Sequence, residues 1–282
     1  MSDKSRKLGI IAGGTTIPKR LIEECQAQGR EFFVLCIEGN ADESYFKDNA
    51  NIPHKWIRIG QAGTGFKTLK DEKVQDVVMI GTIKRPTLSD LVPDLRTTMF
   101  FTKIAAKSLG DDGILRTLVK DIEEEGMLVK GIHEVMPEIL AKEGIMTKTK
   151  PDKQALQDIK RGVHVCLELG RMDVGQAVIV QQGLILSLEG IEGTDKLIER
   201  TKDYQRKGDK AILVKLRKPN QDMRIDLPTI GRQTIERAIE SGLRGIAVHA
   251  GNALMVDEKE AIELANKHNI FIVGINPADY VE

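Results

Sequence analysis

A stretch of alternating acidic and basic residues in the second half of the chain carries side chains suited to phosphate chemistry. It reads KLRKPNQDMRIDLPTIG and covers residues 215–231. If residues 222–226 are extended, Asp222, Arg224 and Asp226 project to one side, because side chains alternate along a strand. A carboxylate can hold a divalent cation or orient water, and a guanidinium group matches phosphate oxygens. This pattern suits pyrophosphate chemistry, and the alternative is a structural ion-pair cluster.

Two further groups of residues in the second half of the chain could complete such a site. Glu189 and Glu192 follow a predicted β-hairpin, and we expect them to join Asp222 and Asp226 as metal ligands. The predicted substrate-binding residues of this half are Gln176, Thr194, Lys215, His249, Gly251 and Asn252. The His249 ring could donate a hydrogen bond to a phosphate or transfer a proton. Thr194 could equally cap the helix that follows it.

Two glycine turns in the first half could also bind an anion. The first follows the strand-like run LGIIA and precedes a helical pattern, so its backbone N–H groups could face a phosphate. The second, in GTIKRP, follows the run VVMI and would lie at the carboxyl edge of a parallel sheet. The predicted ligands in these turns are Gly13, Gly14, Thr15, Gly81, Thr82 and Lys84. The alternatives are a tight strand-to-helix turn and a solvated Lys-Arg pair.

The elements around these residues predict an α/β fold. Short apolar runs alternate with amphipathic stretches in the first half, which is typical of a parallel sheet. The second half repeats this alternation, but two β-branched runs around Gln182 and Gly183 predict a hairpin and hence a mixed sheet. We therefore predict two domains, an N-terminal Rossmann-like parallel-sheet domain and a C-terminal mixed-sheet catalytic domain. Their predicted bounds are 1–133 and 151–282, with a breaker-rich linker at 134–150.

Composition restricts the class of protein further. The 282 residues include 42 Lys plus Arg and 42 Asp plus Glu, so no overall charge attracts nucleic acid. Cys25, Cys36 and Cys166 have no CxxC spacing, which predicts core thiols in a reducing compartment. No signal peptide or span of about 20 apolar residues is present. We expect a soluble cytoplasmic protein that makes at most peripheral contact with a membrane.

Four blocks of the sequence carry a resemblance to a known family. They are LGIIAGG, DVGQAVIVQQGLILSLEGIEGTD, QDMRIDLPTIG and GIAVHAGN. Together they resemble the LpxI family, the UDP-2,3-diacylglucosamine pyrophosphatases of lipid A biosynthesis, over nearly the whole chain. The resemblance implies hydrolysis of UDP-2,3-diacylglucosamine to UMP and 2,3-diacylglucosamine 1-phosphate (lipid X), dependent on Mg²⁺ or another divalent cation such as Mn²⁺. It also implies a catalytic or metal-positioning aspartate, with Asp226 the first choice and Asp222 the second.

These observations lead to one mechanism and leave two other classes open. No activated nucleophile is evident, so we expect direct attack by metal-oriented water, with Asp226, Asp222 and Arg224 as catalytic residues. A nucleotide-sugar-binding regulator without turnover is the first alternative. An NAD-linked oxidoreductase is the second, although the missing GxGxxG pattern disfavours it. The expected partners are an acylated UDP-sugar and, in a homodimer, a second copy of the chain. Any peripheral membrane contact is expected at the inner face of the inner membrane.

Overall fold

The computed structural model describes residues 5–83, 93–107, 111–219 and 221–281. The chain forms two compact units. Unit 1 contains residues 1–137 and 222–225, and unit 2 contains residues 138–221 and 226–282. The division therefore falls inside the predicted linker, 134–150, and most of that segment belongs to unit 2. Residues 222–225 of the QDMRID block belong to unit 1. The bounds predicted from the sequence placed the whole block in the second domain, 151–282.

Unit 1 has a parallel sheet whose strand order, in the described residues, is β3-β2-β1-β4-β5. The strands are β1 (Leu8–Ala12), β2 (Phe32–Ile37), β3 (His54–Ile57), β4 (Asp76–Ile80) and β5 (Leu128–Val129). The helices are α1 (Ile17–Ala27), α2 (Glu43–Asp48), α3 (Ala62–Asp71), α4 (Leu95–Lys107), α5 (Asp111–Glu124) and α6 (Ile132–Val135). Strands β2 and β4 flank β1 on opposite sides, so the strand order reverses there, as in open ligand-binding sheets. The predicted Rossmann-like parallel domain is confirmed.

A buried ion pair lies among the residues that begin the strands of unit 1. The side chains of Arg30 and Asp76 are both 0% exposed, and a guanidinium nitrogen lies 2.8 Å from Oδ2 of Asp76. The Nε of Arg6 lies 2.8 Å from Oδ1 of the same carboxylate. Both Asp76 oxygens are thus paired with cations, and loss of the carboxylate charge would leave a guanidinium buried without compensation.

We expect Asp76→Asn to lower the free energy of unfolding of unit 1 by about 3 kcal/mol, because it leaves the buried Arg30 charge unbalanced. Urea unfolding followed by the fluorescence of Trp56, the single tryptophan and a residue of β3, measures this change. Glu23→Gln is the control, since it removes a partner from the exposed Lys19–Glu23 pair and should cost less than about 0.5 kcal/mol. Equal stability of Asp76→Asn and the wild-type protein would contradict this role.

Unit 2 has a mixed sheet whose order, over the part of the chain described, is β6-β13-β11-β9-β7-β8. Strands β9, β11 and β13 are parallel, whereas β6, β7 and β8 each run antiparallel to a neighbour. These strands are β6 (Gly144–Ile145), β7 (Ala177–Gln181), β8 (Leu184–Leu188), β9 (Ile212–Lys215), β11 (Gly245–His249) and β13 (Phe271–Ile275). The short strands β10 (Thr229–Gly231) and β12 (Leu254–Val256) pair separately. The predicted mixed-sheet domain is confirmed.

Helices cover both faces of the six-stranded sheet. They are α7 (Lys153–Arg171), α8 (Gly193–Thr201), α9 (Arg232–Glu240) and α10 (Glu258–Lys267), with 3₁₀ turns at Pro137–Ile139, Lys202–Tyr204 and Pro277–Tyr280. Apolar residues of α7 pack with one set of strand side chains, and those of α8, α9 and α10 pack with the alternate set. This arrangement follows from the period of two along each strand. The cysteines at positions 25, 36 and 166 are buried and free, as predicted.

The hairpin predicted around Gln182 and Gly183 is confirmed. Strands β7 and β8 pair antiparallel, and the two turn residues have φ of 48° and 81°. Positive φ at both central residues is the geometry that matches the twist of paired strands. The buried Asp158 carboxylate of α7 accepts hydrogen bonds from the backbone N–H groups of Gln182, at 3.0 Å, and Gly183, at 2.7 Å. This contact fixes the turn against the helix.

Candidate functional site

Several predicted ligands meet where β9 and β11 end in unit 2. Lys215, the last residue of β9, pairs with Ala177 of β7 and Val248 of β11. The next N–H, that of Leu216, donates to the Gln176 carbonyl at 2.9 Å. His249 is the last residue of β11. Residues distant in sequence are thus brought to one border of the sheet, which we call the carboxyl edge of unit 2.

The sheet separates two of these side chains, because paired residues project to the same face and adjacent residues to opposite faces. Ala177 and Val248, the partners of Lys215, belong to the core on the side of α8, α9 and α10. Ile275, the partner of His249 in β13, belongs to the core on the α7 side. Lys215 and His249 therefore lie on different faces at the same edge.

Lys215 is the buried cation of this edge. The residue is 6% exposed, and its Nζ donates to the Thr229 carbonyl at 2.9 Å. Burial lowers the pKa of Lys215, whereas the charges of nearby carboxylates act in the opposite direction. Those carboxylates belong to Glu189, Asp195 and Asp226. An ammonium group at a strand end can donate hydrogen bonds to phosphate oxygens.

The two glutamates predicted as metal ligands have other partners. Glu189 is buried, and its Oε2 accepts from the Gln176 N–H at 2.9 Å while its Oε1 accepts from the Thr194 hydroxyl at 2.5 Å. Glu192 lies 2.8 Å from an Arg200 nitrogen. Its own backbone N–H and then Arg200 lower the pKa of Glu192. Thr194 does not cap α8, because Glu192 occupies the N-cap position.

The QDMRID block is not extended. Residues 223–225 form a turn in which the Ile225 N–H donates to the Asp222 carbonyl at 3.2 Å. Oδ1 of Asp222 also accepts from the Arg224 N–H at 3.0 Å, a local bond by which aspartate favours turns over strands. The sequence prediction that Asp222, Arg224 and Asp226 project to one side required an extended segment, and this segment is a turn. Asp222 and Arg224 belong to unit 1, and Asp226 belongs to unit 2.

Asp222 and Arg224 form an ion-pair cluster within unit 1. The guanidinium group lies 2.7 Å from Oδ2 of Asp222, and a second nitrogen lies 2.8 Å from Glu123 of α5. The Arg224 hydrogen bonds lower the pKa of Asp222. With Arg116 and Lys120 of α5, these residues line a cleft of about 410 Å³. In unit 2, the Asp226 carboxylate accepts a hydrogen bond from the Gln221 amide.

The glycine turns of unit 1 contact each other across the ends of β1 and β4. The Gly14 N–H donates to the Thr82 carbonyl at 2.7 Å, and the Gly13 N–H donates to Ile80 at 2.9 Å. A Cβ atom on Gly13 would lie 2.6 Å from the Thr82 carbonyl oxygen, so this approach requires glycine. These two N–H groups serve the turn, as the tight-turn alternative predicts. Binding by Gly81 and Thr82 stays a prediction, and Lys84 lies outside the described residues.

Thr15 lies beside this turn and lines a cleft of about 230 Å³. Its φ is 82°, a conformation that β-branched residues rarely adopt. Lys19 of α1 and Tyr45 of α2 line the same cleft, with the lysine ammonium 5.4 Å from the ring centroid. The cleft offers hydroxyl, cationic and aromatic groups to a ligand. Ligand binding by Thr15 stays a prediction.

Polar atoms without hydrogen-bond partners occur at the carboxyl edge of unit 2. In the described residues they include Nδ1 of His249, Oε1 of Gln176 and Nε of Arg217, all buried. Burial, and then the charge of Arg217, lower the pKa of His249 to about 4, so its ring is neutral at pH 7. Gly251 and Asn252 instead form the turn after β11, where the Asn252 N–H donates to the His249 carbonyl at 3.2 Å. The sequence predictions did not include Arg217, although it lies two residues after Lys215.

The described carboxylates do not fit a preformed metal site. No group of three or more His, Cys, Asp or Glu residues is arranged to hold a metal ion in the described ranges. Asp222 pairs with Arg224, Glu192 pairs with Arg200, and Glu189 accepts two hydrogen bonds. The predicted metal ligands are thus engaged with protein groups, and the requirement for a divalent cation stays a prediction.

The fold and the carboxyl edge of unit 2 define a two-domain α/β protein with a charged candidate site in its C-terminal unit. Residues 7–139 match the model of the LpxI N-terminal domain, and residues 142–273 match that of the LpxI C-terminal domain. The chain is 38% identical over 284 residues to the UDP-2,3-diacylglucosamine pyrophosphatase LpxI of Caulobacter vibrioides, covering 97% of this chain and 99% of that protein. The chain belongs to the LpxI family, and the resemblance stated from the sequence is confirmed.

Proposed function

We propose that this protein hydrolyses UDP-2,3-diacylglucosamine to UMP and 2,3-diacylglucosamine 1-phosphate in lipid A biosynthesis. Family membership and the name of the Caulobacter relative support the substrate. The observation that carries the position of the chemistry is the buried Lys215 ammonium at the carboxyl edge of unit 2, which donates to the carbonyl of Thr229, three residues after Asp226. Ligands bind preferentially at such edges in α/β sheets.

In the proposed reaction, water attacks one phosphorus atom of the diphosphate and the bridging P–O bond breaks. The Lys215 ammonium binds phosphate oxygens and offsets the charge that develops on the leaving phosphate. The Asp226 carboxylate orients the water and accepts its proton. We propose that no covalent intermediate forms. Hydrolysis in ¹⁸O-labelled water places one labelled oxygen on either UMP or the sugar phosphate, which identifies the phosphorus atom attacked by water. Isolation of a phosphorylated or uridylylated protein would contradict direct attack.

The function is tested by incubating the purified full chain with UDP-2,3-diacylglucosamine and Mg²⁺ and measuring UMP. We expect UMP and the sugar 1-phosphate in equal amounts. A nucleotide-sugar-binding regulator would bind the substrate and release no UMP. An NAD-linked oxidoreductase would instead show saturable nicotinamide binding in a fluorescence titration.

A homodimer is also proposed, and light scattering of the purified chain measures its mass.

We further propose that catalysis requires Mg²⁺ or Mn²⁺, which would supply neutralisation of the diphosphate charge. Removal of divalent ions with EDTA should lower UMP release at least about tenfold, and added Mg²⁺ should restore it. The carboxylates of Asp222, Glu192 and Glu189 already have protein partners. We therefore expect calorimetry to show weak Mg²⁺ binding to the protein without substrate. Undiminished activity in EDTA would contradict the metal requirement without affecting the proposed substrate.

A further inference from the structure

Four large apolar side chains are exposed next to the carboxyl edge of unit 2. Ile191 is 86% exposed, Met172 is 65% exposed, Val174 is 52% exposed and Leu188 is 41% exposed. We call these four residues the apolar lip. Single exposed apolar residues are common on protein surfaces, but a group of them beside a candidate site indicates an interaction surface.

The lip is one surface because its two chain segments lie side by side. The Gln176 N–H donates to the Glu189 carboxylate at 2.9 Å, and the Glu189 N–H donates to the Ala177 carbonyl at 2.9 Å. A Cβ atom on Gly175 would overlap the Glu189 carbonyl oxygen. Residues 175–177 therefore lie beside Glu189. The segment that carries Met172 and Val174 thus ends next to the segment that carries Leu188 and Ile191. Because Ala177, which accepts from the Glu189 N–H, pairs with Lys215 in the sheet, the lip adjoins the proposed site.

The cations at the rim of the lip are paired with carboxylates of the same unit. Arg171 pairs with Glu168. The Lys218 ammonium lies 2.7 Å from Asp173, and an Arg200 nitrogen lies 2.8 Å from Glu192. Each of these three pairs carries no net charge. A partner of this surface would therefore bind through apolar contact rather than through attraction to a charged patch.

We infer that the apolar lip inserts into the surface of a phospholipid bilayer and thereby places the carboxyl edge of unit 2 at the lipid–water interface. This inference rests on the proposed function. A substrate with two acyl chains stays in the bilayer, because each buried methylene group favours the membrane, while its diphosphate remains in the aqueous interface. In the described ranges, no helix is long and apolar enough to cross a membrane. A shallow apolar contact gives the site access to such a substrate without a membrane-spanning segment.

Vesicle binding tests this inference directly. We expect the full chain to sediment with phosphatidylcholine vesicles, and Ile191→Asp to weaken binding about tenfold, a change of about 1.4 kcal/mol. Met172→Gln, in the other segment, should weaken it in the same direction. Leu184→Asp is the matched control, because Leu184 is 46% exposed at the opposite end of the same strand, β8, and its replacement should leave binding unchanged. Binding should also persist when NaCl is raised to about 0.5 M, since the ion pairs at the rim carry no net charge.

Activity separates the lip from the chemistry. With UDP-2,3-diacylglucosamine in vesicles, Ile191→Asp should lower kcat/KM about tenfold, and with a water-soluble short-chain analogue it should match the wild-type protein. Equal vesicle binding by wild type, Ile191→Asp and Met172→Gln would overturn the inference, as would a wild-type protein that does not bind vesicles. Conversion of a dimer to a monomer by Ile191→Asp would assign the lip to a second copy and also overturn it. Absence of UMP with either substrate would instead refute the proposed function, whatever the vesicles show.

Discussion

Asp226→Asn should lower the rate of UMP release by about 10²–10⁴-fold while leaving substrate affinity nearly unchanged. Asparagine keeps the shape of the side chain and an oxygen that can accept from the Gln221 amide, but it does not accept a proton from water. The proposed proton transfer is therefore removed with little disturbance of unit 2. Single-turnover measurements of UMP release give the rate, and titration calorimetry with the variant gives the dissociation constant.

Asp222→Asn is the informative comparison, because this second aspartate of the block already pairs with Arg224 in unit 1. We expect it to reduce turnover less than Asp226→Asn. A larger loss at position 222 would transfer the acid–base role to that residue. Wild-type turnover in a variant lacking both carboxylates would reject the mechanism, while product formation by that variant would still support the substrate.

Lys215→Met should both destabilise unit 2 and abolish most UMP release. The substitution keeps the apolar stem but removes the buried ammonium group, so the carboxylates of Glu189, Asp195 and Asp226 lose a shared counter-charge. Loss of one member of a buried charge cluster costs about 3–5 kcal/mol. The missing charge stabilisation at the phosphate should slow turnover by about 10²-fold or more. Denaturation followed by circular dichroism and a UMP assay measure the two effects.

Two further variants separate stability from chemistry at this position. Adding Glu189→Gln to Lys215→Met removes one uncompensated carboxylate, so the double variant should recover part of the stability but none of the activity. Lys210→Met makes the same side-chain change at an exposed position just before β9 and should leave both quantities unchanged. Full activity of Lys215→Met would show that phosphate binding depends on other cations.

Local patterns in the sequence predicted the main elements correctly. The alternation of apolar runs with amphipathic stretches predicted parallel strands in unit 1. The spacing of apolar residues in a strand or a helix repeats within a few residues, so a short stretch of sequence shows it. The sequence around Gln182 and Gly183 predicted the β7–β8 hairpin for the same reason. The family resemblance was likewise evident in four sequence blocks and needed no structure.

Pairings over long separations were decided by the tertiary structure. Glu189, predicted as a metal ligand, accepts hydrogen bonds from Gln176, which strand pairing brings beside it, and from Thr194. The strand alternation predicted for residues 222–226 is replaced by a turn in which an aspartate bonds to the backbone two residues later. The sequence by itself determined which residue types were present and where most strands and helices form. Which charges become buried together depends on register and packing between distant segments, and those are properties of the folded chain alone.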